Sequence, residues 1–337
     1  MEAKHRHSHK KHRSQHSGPF IVIRDIILLA VVMNVFALFH HVIPIKMTPV
    51  SETAAYQSAM ASSPAPSGLE LSADATPASA ETTPAPTPVP GDFSASFPTS
   101  DTGADALYSH QTDTVRIAVR QVQENSVTYF VADVWVKNIE AFHTAFAKGT
   151  YGKSIYEFPT KTAASNDAVL AVTGDYYSAR KQGIVVRNGT LYRDVPGDDV
   201  CVLYNDGEMQ TYLTSEFDLD AAMNRGIAQT WSFGPALLNS DGSAIADFAS
   251  DLKDRHPRSA MGYYEPGHYC FVVVDGRQKG YSVGMKLREL SSRFASLGCK
   301  QAYNFVGGAT AIMLWNGEVI NKPYKGGRES GDIIWFA

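Results

Sequence analysis

Val115-Arg-Ile-Ala-Val-Arg-Gln-Val122 alternates apolar and polar residues, and after Glu124-Asn125 the pattern continues in Val127-Thr-Tyr-Phe-Val-Ala-Asp-Val-Trp-Val136. A period of two sends successive side chains to opposite faces of an extended chain, so this stretch reads as a β-hairpin. The same reasoning finds more hairpins downstream. Residues 183–193 turn at Asn188-Gly189, the strongest short-range hairpin signal, and residues 201–212 turn at Asp206-Gly207. Residues 312–320 form another, residues 168–173 and 269–275 read as buried strands, and residues 332–336 close the chain as a strand. Helical spacing is confined to residues 139–147, 217–225 and 285–297, the last ending at Gly298. The class is α+β, with largely antiparallel sheets built from hairpins and a few packed helices.

Outward from this region the composition changes sharply. Residues 106–337 have globular texture and are ample for one sizeable core. Residues 44–105 are rich in Pro, Ala, Ser and Thr, and read as a disordered, partly extended stalk. Residues 20–43 are strongly apolar and residues 1–19 are basic and His-rich. Positive charge beside an apolar segment stays cytoplasmic, so 1–19 is expected as a cytoplasmic head and 20–43 as a transmembrane helix. Arg24 would snorkel toward the basic side, with Asp25 beside it. His40-His41-Val-Ile-Pro-Ile-Lys46 lacks a small-x-small cleavage pattern, which favours an uncleaved anchor. The expected placement is therefore single-pass in the cell membrane, with the C-terminal domain outside the cytoplasm.

The whole chain of 337 residues carries a net charge of −4. The head is +4 (Lys4, Arg6, Lys10, Lys11 and Arg13 against Glu2), so the remainder is −8. An acidic globular domain excludes nucleic acid as its partner. Cys201, Cys270 and Cys299 have no metal-ligand spacing. One disulfide is allowed outside the cytoplasm, with the pair undetermined.

Polar groups recur where strands end. Asp175 follows the strand at 168–173, with Arg180 five residues on, and His256-Pro257-Arg258 opens the run into Gly262. Asp275-Gly276-Arg277 follows a second strand. Asn304-Phe-Val306-Gly307-Gly308-Ala-Thr310 delivers a sharp turn, and Gly326-Gly327-Arg328 precedes the last strand. Arginine presents a planar fork suited to phosphate. Asp175 and Asp275 are candidate acid/base groups, with His256 a proton donor or oxyanion partner. Arg180, Arg258, Arg277 and Arg328 are candidates for an anionic substrate, and Asn304, Gly307, Gly308 and Thr310 for a ligand-cradling turn. No cofactor is required by any motif, and a divalent cation is allowed.

These motifs occur in a characteristic order. Val172-Thr-Gly-Asp-Tyr-Tyr177, Val186-Arg-Asn-Gly-Thr-Leu-Tyr192, Phe233-Gly-Pro235, His256-Pro-Arg-Ser-Ala-Met-Gly262, Val274-Asp-Gly-Arg277, Tyr303-Asn-Phe-Val-Gly-Gly308 and Asp332-Ile-Ile334 together resemble the phosphodiester glycosidase family. The resemblance implies hydrolysis of a sugar-1-phosphate diester, with phosphorylated glycans of the cell envelope or an exopolysaccharide as substrates. One departure stands out. The family motif reads Asn-Leu-Asp-Gly-Gly-(Gly or Gln)-Ser, whereas here Val306 occupies the Asp position and Thr310 the Ser position. Valine can neither accept a proton nor bind a cation, so the alternative is a catalytically weakened surface module that binds glycan phosphates. A Val306 side chain buried away from the polar cluster favours retained catalysis, and one projecting into it favours the weakened module.

Overall fold

A computed structural model describes residues 18–37, 44–52, 91–98, 105–197, 199–250 and 252–337. They fall into two compact units, one ending at Pro44 and one running from Ile45 to Ala337.

In the larger unit the opening hairpin supplies two strands of a six-stranded sheet. Its antiparallel order is Gln301–Phe305, Arg258–Glu265, His268–Val274, Val127–Val136, Val115–Glu124 and Tyr108–Gln111. A five-stranded antiparallel sheet, in the order Glu318–Val319, Met313–Trp315, Leu170–Thr173, Asp332–Phe336 and His143–Phe146, packs against it. The pleat divides the core accordingly. Phe130, Ala132 and Val134 meet Leu170, Val172, Ile334 and Phe336 between the sheets. Tyr129 and Val131 point the other way, onto Leu287, Leu290 and Phe294. Those three residues recur at i, i+3 and i+7 on helix Leu287–Leu297, which Gly298 ends in a left-handed cap. The far face of the smaller sheet, with Ala171, Ile312 and Ile333, is covered by Ala163 of helix Pro159–Ala164. Both faces of strand Val127–Val136 are thus buried, which is why its sequence is apolar almost throughout.

A three-stranded sheet (Met209–Leu213, Asp199–Tyr204, Ile227–Trp231) and the hairpin Val185–Arg187/Thr190–Arg193 complete the unit. Leu219–Arg225 supplies the short helix expected near 217–225, N-capped by Asp218. The helix expected over 139–147 does not form. Asn138 caps a single 3₁₀ turn at Ile139–Ala141, and His143–Phe146 pairs with the closing strand. Strand pairing and burial of Phe142 among Trp231, Tyr269 and Phe336 override the helical spacing.

The ends of the expected stalk belong to this unit. Ile45–Lys46 pairs with Gly152–Lys153, and Val50 packs beside Ile184, Val186 and Leu191. Phe93 is buried in the main core, its N–H donating to the Lys137 carbonyl at 2.6 Å. Residues 1–17 of the expected head 1–19, residues 38–43 of the expected anchor, and residues 53–90 and 99–104 of the expected stalk lie outside the described residues.

The smaller unit contributes helix Gly18–Ala37. Arg24 pairs with Asp25 at 2.9 Å, Asn34 Nδ2 donates to Ala30 O, and the apolar side chains between Val22 and Phe36 are exposed. Among the described residues no helix is long and apolar enough to cross a membrane, so the structure does not support the expected transmembrane helix. The charged pair and Asn34 interrupt the apolar run there.

Candidate active site

His256, Arg258, Arg277 and Arg328 converge on one cleft of about 480 Å³, joined by Val306, Gly307, Gly308 and Lys325. Tyr176, Phe233 and Tyr324 form its aromatic wall. Among the described residues no carboxylate lines it. Three chain segments cross beneath, and glycine permits the crossing. A Cβ on Gly307 would lie 2.4 Å from the Pro257 carbonyl oxygen, and Gly308 holds φ at +68° while its N–H donates to that same oxygen.

Each cation is held differently. Arg258 is buried, and its Nε donates to Met285 O at 3.1 Å while Nη2 donates to the Leu252 and Asp254 carbonyls. Burial, with Arg277 nearby, pulls its guanidinium down to about 10, so it remains charged at neutral pH. Arg277 is exposed, at φ +59°, a conformation non-glycine residues seldom adopt. Its Nη2 donates to His256 Nδ1 at 2.9 Å. A guanidinium has no acceptor, so Nδ1 accepts and the imidazole carries its proton on Nε2. Burial, then Arg258 and Arg277, hold the His256 pKa below the usual value and favour this neutral donor form. Arg180 sits outside the cleft lining, its guanidinium 4.7 Å from the Phe233 ring centroid and bonded to the Ser232 and Phe233 carbonyls.

Asp275 is fully buried below this wall. Its carboxylate accepts from Tyr281 Oη at 2.9 Å, Asn321 Nδ2 at 2.8 Å and the Lys322 N–H, and burial raises its pKa. Gln278 Nε2 adds a bond to Lys322 O, so the loop bearing Arg277 is tied to the loop bearing Tyr324 and Lys325. Asp275 therefore positions the cleft and does not line it.

Asp175 is also committed internally. Its oxygens accept the Tyr176 and Ser232 N–H groups, with Arg187 Nη2 at 3.8 Å. Arg187, buried in the hairpin at Val185–Arg187, makes its closer bonds to Asp332 at 2.7 and 3.1 Å. Two carboxylates thus share one guanidinium in the core. Burial, offset by Arg187 and reinforced by Asp175, raises Asp332 to about 6. Its proton affinity is higher folded than unfolded, so stability is lost as pH rises from about 4 to about 6. Thermal unfolding should therefore show the unmodified protein losing more stability than Asp332→Asn as pH rises from about 4 to about 6. Parallel pH profiles for the two proteins would exclude it.

The turn expected to cradle a ligand is largely self-satisfied. Asn304 Nδ2 donates to Gly234 O, Thr310 Oγ1 donates to Gly307 O, and Thr173 Oγ1 bonds to Thr310 O. Asn304 and Thr310 therefore brace the turn, and Gly307 and Gly308 alone of the four reach the cleft. Val306 is 4% exposed and forms a partition. One side faces the cationic cleft, and the other faces a chamber of about 10 Å³ with Asp175, Ser178, Thr310 and Glu329, roughly the room of one water. Among the described residues no three His, Cys, Asp or Glu side chains gather as a metal-ligand set. Tyr176, Phe233, Tyr324 and Lys325 were not singled out as site residues from sequence, although the first two lie in the quoted motifs next to Asp175 and Gly234.

Residues 166–337 match the family model described as phosphodiester glycosidase. The SPbeta prophage-derived uncharacterized protein YomE of Bacillus subtilis is 27% identical over 236 residues, covering 63% of this chain and 36% of that protein. The chain thus spans about a third of that relative's length. Among solved structures, the zebrafish N-acetylglucosamine-1-phosphodiester alpha-N-acetylglucosaminidase catalytic domain, auto-inhibited by its pro-peptide, has a similar fold. Its TM-score is 0.53 at 16% identity, over 69% of this chain and 86% of that one. A hypothetical protein from Synechocystis gives 0.52 at 12% identity, over 69% and 64%.

Proposed function

This chain belongs to the phosphodiester glycosidase family, and we propose that its cationic cleft holds a sugar-1-phosphate diester of envelope or exopolysaccharide glycans and cleaves the glycosyl–phosphate bond slowly. The observation that carries this reading is a cleft lined by His256, Arg258, Arg277, Lys325 and Arg328, with no acid among the described residues that line it. An excess of fixed positive charge with carbonyls and an imidazole as its neighbours calls for an anion.

The chemistry divides the labour unequally. Cleavage separates the anomeric carbon from a phosphate oxygen, and the departing phosphomonoester carries its negative charge without full protonation. Arg277 is placed to stabilise that charge, Arg258 adds positive potential from its braced position, and the Nε2–H of His256 can donate to an oxygen of the leaving group. Tyr176, Phe233 and Tyr324 offer apolar faces for a sugar ring. The missing participant is a carboxylate to steer water or stabilise a positively charged anomeric centre, the role acids fill in glycoside hydrolysis. Val306 stands at the cleft floor where the family has Asp, which favours the weakened form of the activity.

Product analysis tests the reading. A GlcNAc-1-phosphate diester incubated with the protein should slowly release free GlcNAc and a phosphomonoester. Release of sugar-1-phosphate instead would mean the other ester bond is cut and would overturn the assignment.

The proposed placement of the domain outside the cytoplasm rests on sequence order alone, basic residues 1–19 preceding the apolar run 20–43. Protease added to intact cells should release the domain by cutting within the Pro-, Ala-, Ser- and Thr-rich segment 47–105. Protection until the membrane is lysed would reverse the orientation.

A further inference from the structure

Cys270 ends its side chain 3.6 Å, Sγ to Sγ, from Cys299, while Cys201 lies in a different part of the core. Cys270 belongs to the central strand His268–Val274, and Cys299 follows the Gly298 cap of helix Leu287–Leu297. Both are buried. The space is shaped for the pair: a Cβ on Gly262 would lie 2.6 Å from Cys299 Sγ, so the absent methyl is what admits the thiol.

We infer that Cys270 and Cys299 are a disulfide-forming pair that staples the helix to the sheet, with Cys201 left as the free thiol. An S–S bond of roughly 2.0 Å requires the two sulfurs to close that gap. The oxidant is an external disulfide, either a thiol–disulfide oxidoreductase or glutathione disulfide. One cysteine attacks it as thiolate to give a mixed disulfide, and the second displaces the external thiol. Two protons and two electrons leave the protein pair, and the external disulfide becomes two thiols. Burial and the neighbouring Cys299 hold the Cys270 thiol well above its ordinary range, so the reaction belongs to the folding chain rather than the finished one.

The staple would act on the cleft. The loop it closes, residues 271–298, carries Asp275, Arg277 and the Met285 carbonyl that receives Arg258 Nε. Tying both ends of that segment suppresses the local opening that would disperse these groups. The inference rests on the extracytoplasmic placement only for where the oxidant is met.

The test uses the full chain, reduced in denaturant and refolded in a glutathione redox buffer, then alkylated after denaturation. One free thiol, assigned to Cys201, and a linked Cys270–Cys299 peptide two hydrogens lighter are expected. The oxidised protein should melt on the order of 5–10 °C above the reduced one, a difference lost in Cys270→Ser and in Cys299→Ser. Three free thiols, or pairing through Cys201, would overturn the inference. The same alkylation on protein taken from cells separates the two readings. Three free thiols there, alongside closure in the refolded protein, would overturn the extracytoplasmic placement and leave the pairing standing.

Discussion

Val306→Asp should raise kcat for a GlcNAc-1-phosphate diester by roughly two orders of magnitude or more, the scale of direct acid/base participation. Val306 already lines the cleft that holds His256, Arg258 and Arg277. An aspartate there has nearly the same volume and would project a carboxylate beside three positive or donating groups, which favour its ionised form. The groups that hold the phosphate are untouched, so KM should change little. The burial of position 306 sets the main cost, because a carboxylate 4% exposed must find donors. Steady-state kinetics on both proteins decides the matter. Brisk turnover by the unmodified chain, with no gain in the variant, would make position 306 structural and remove the case for weakened catalysis.

The second large effect separates two arginines that look alike in sequence. Arg277→Ala should weaken diester binding by about 1.5–3 kcal/mol, or roughly 10- to 150-fold, with little loss of stability. Its side chain is exposed and its Nη2 partner is His256, a residue of the cleft itself. Arg258→Ala should instead destabilise the domain by at least about 1–3 kcal/mol, since the Leu252, Asp254 and Met285 carbonyls would lose their donor. Titration calorimetry and thermal unfolding distinguish them. If Arg277→Ala unfolds the protein and Arg258→Ala only weakens binding, the division between exposed ligand and buried brace is the wrong way round.

The architecture was legible wherever local chemistry and tertiary pairing agree. Asn188-Gly189 and Asn316-Gly317 adopt the left-handed angles that hairpin turns need, and Gly298 stops the longest helix of the larger unit as its sequence suggests. They disagree at residues 139–147, where helical spacing lost to a strand partner almost 190 positions away. Likewise His256, Arg258, Arg277 and Arg328 share one cleft, because strand ends on the same edge of a sandwich bring their loops together. The two aspartates did not join them. Asp175 and Asp275 follow buried strands as catalytic acids often do, yet each is consumed by backbone and side-chain donors that only the fold supplies. Arg187 shows the converse. From sequence it carries no assigned role, and in the fold it is buried between Asp175 and Asp332. In the expected stalk, Phe93 and Phe97 are the two phenylalanines of a Pro- and Ala-rich stretch, and Phe93 is buried in the core.

Binding by the unmodified protein tests the central claim most directly, that the cleft recognises a phosphodiester attached to a sugar. Calorimetric titration with a GlcNAc-1-phosphate diester, and in parallel with the methyl glycoside that lacks the phosphate, measures what the charge contributes. The account predicts that the diester binds and the methyl glycoside binds far more weakly, with the difference narrowing as salt is raised. Equal affinity for the two compounds at low salt would contradict it.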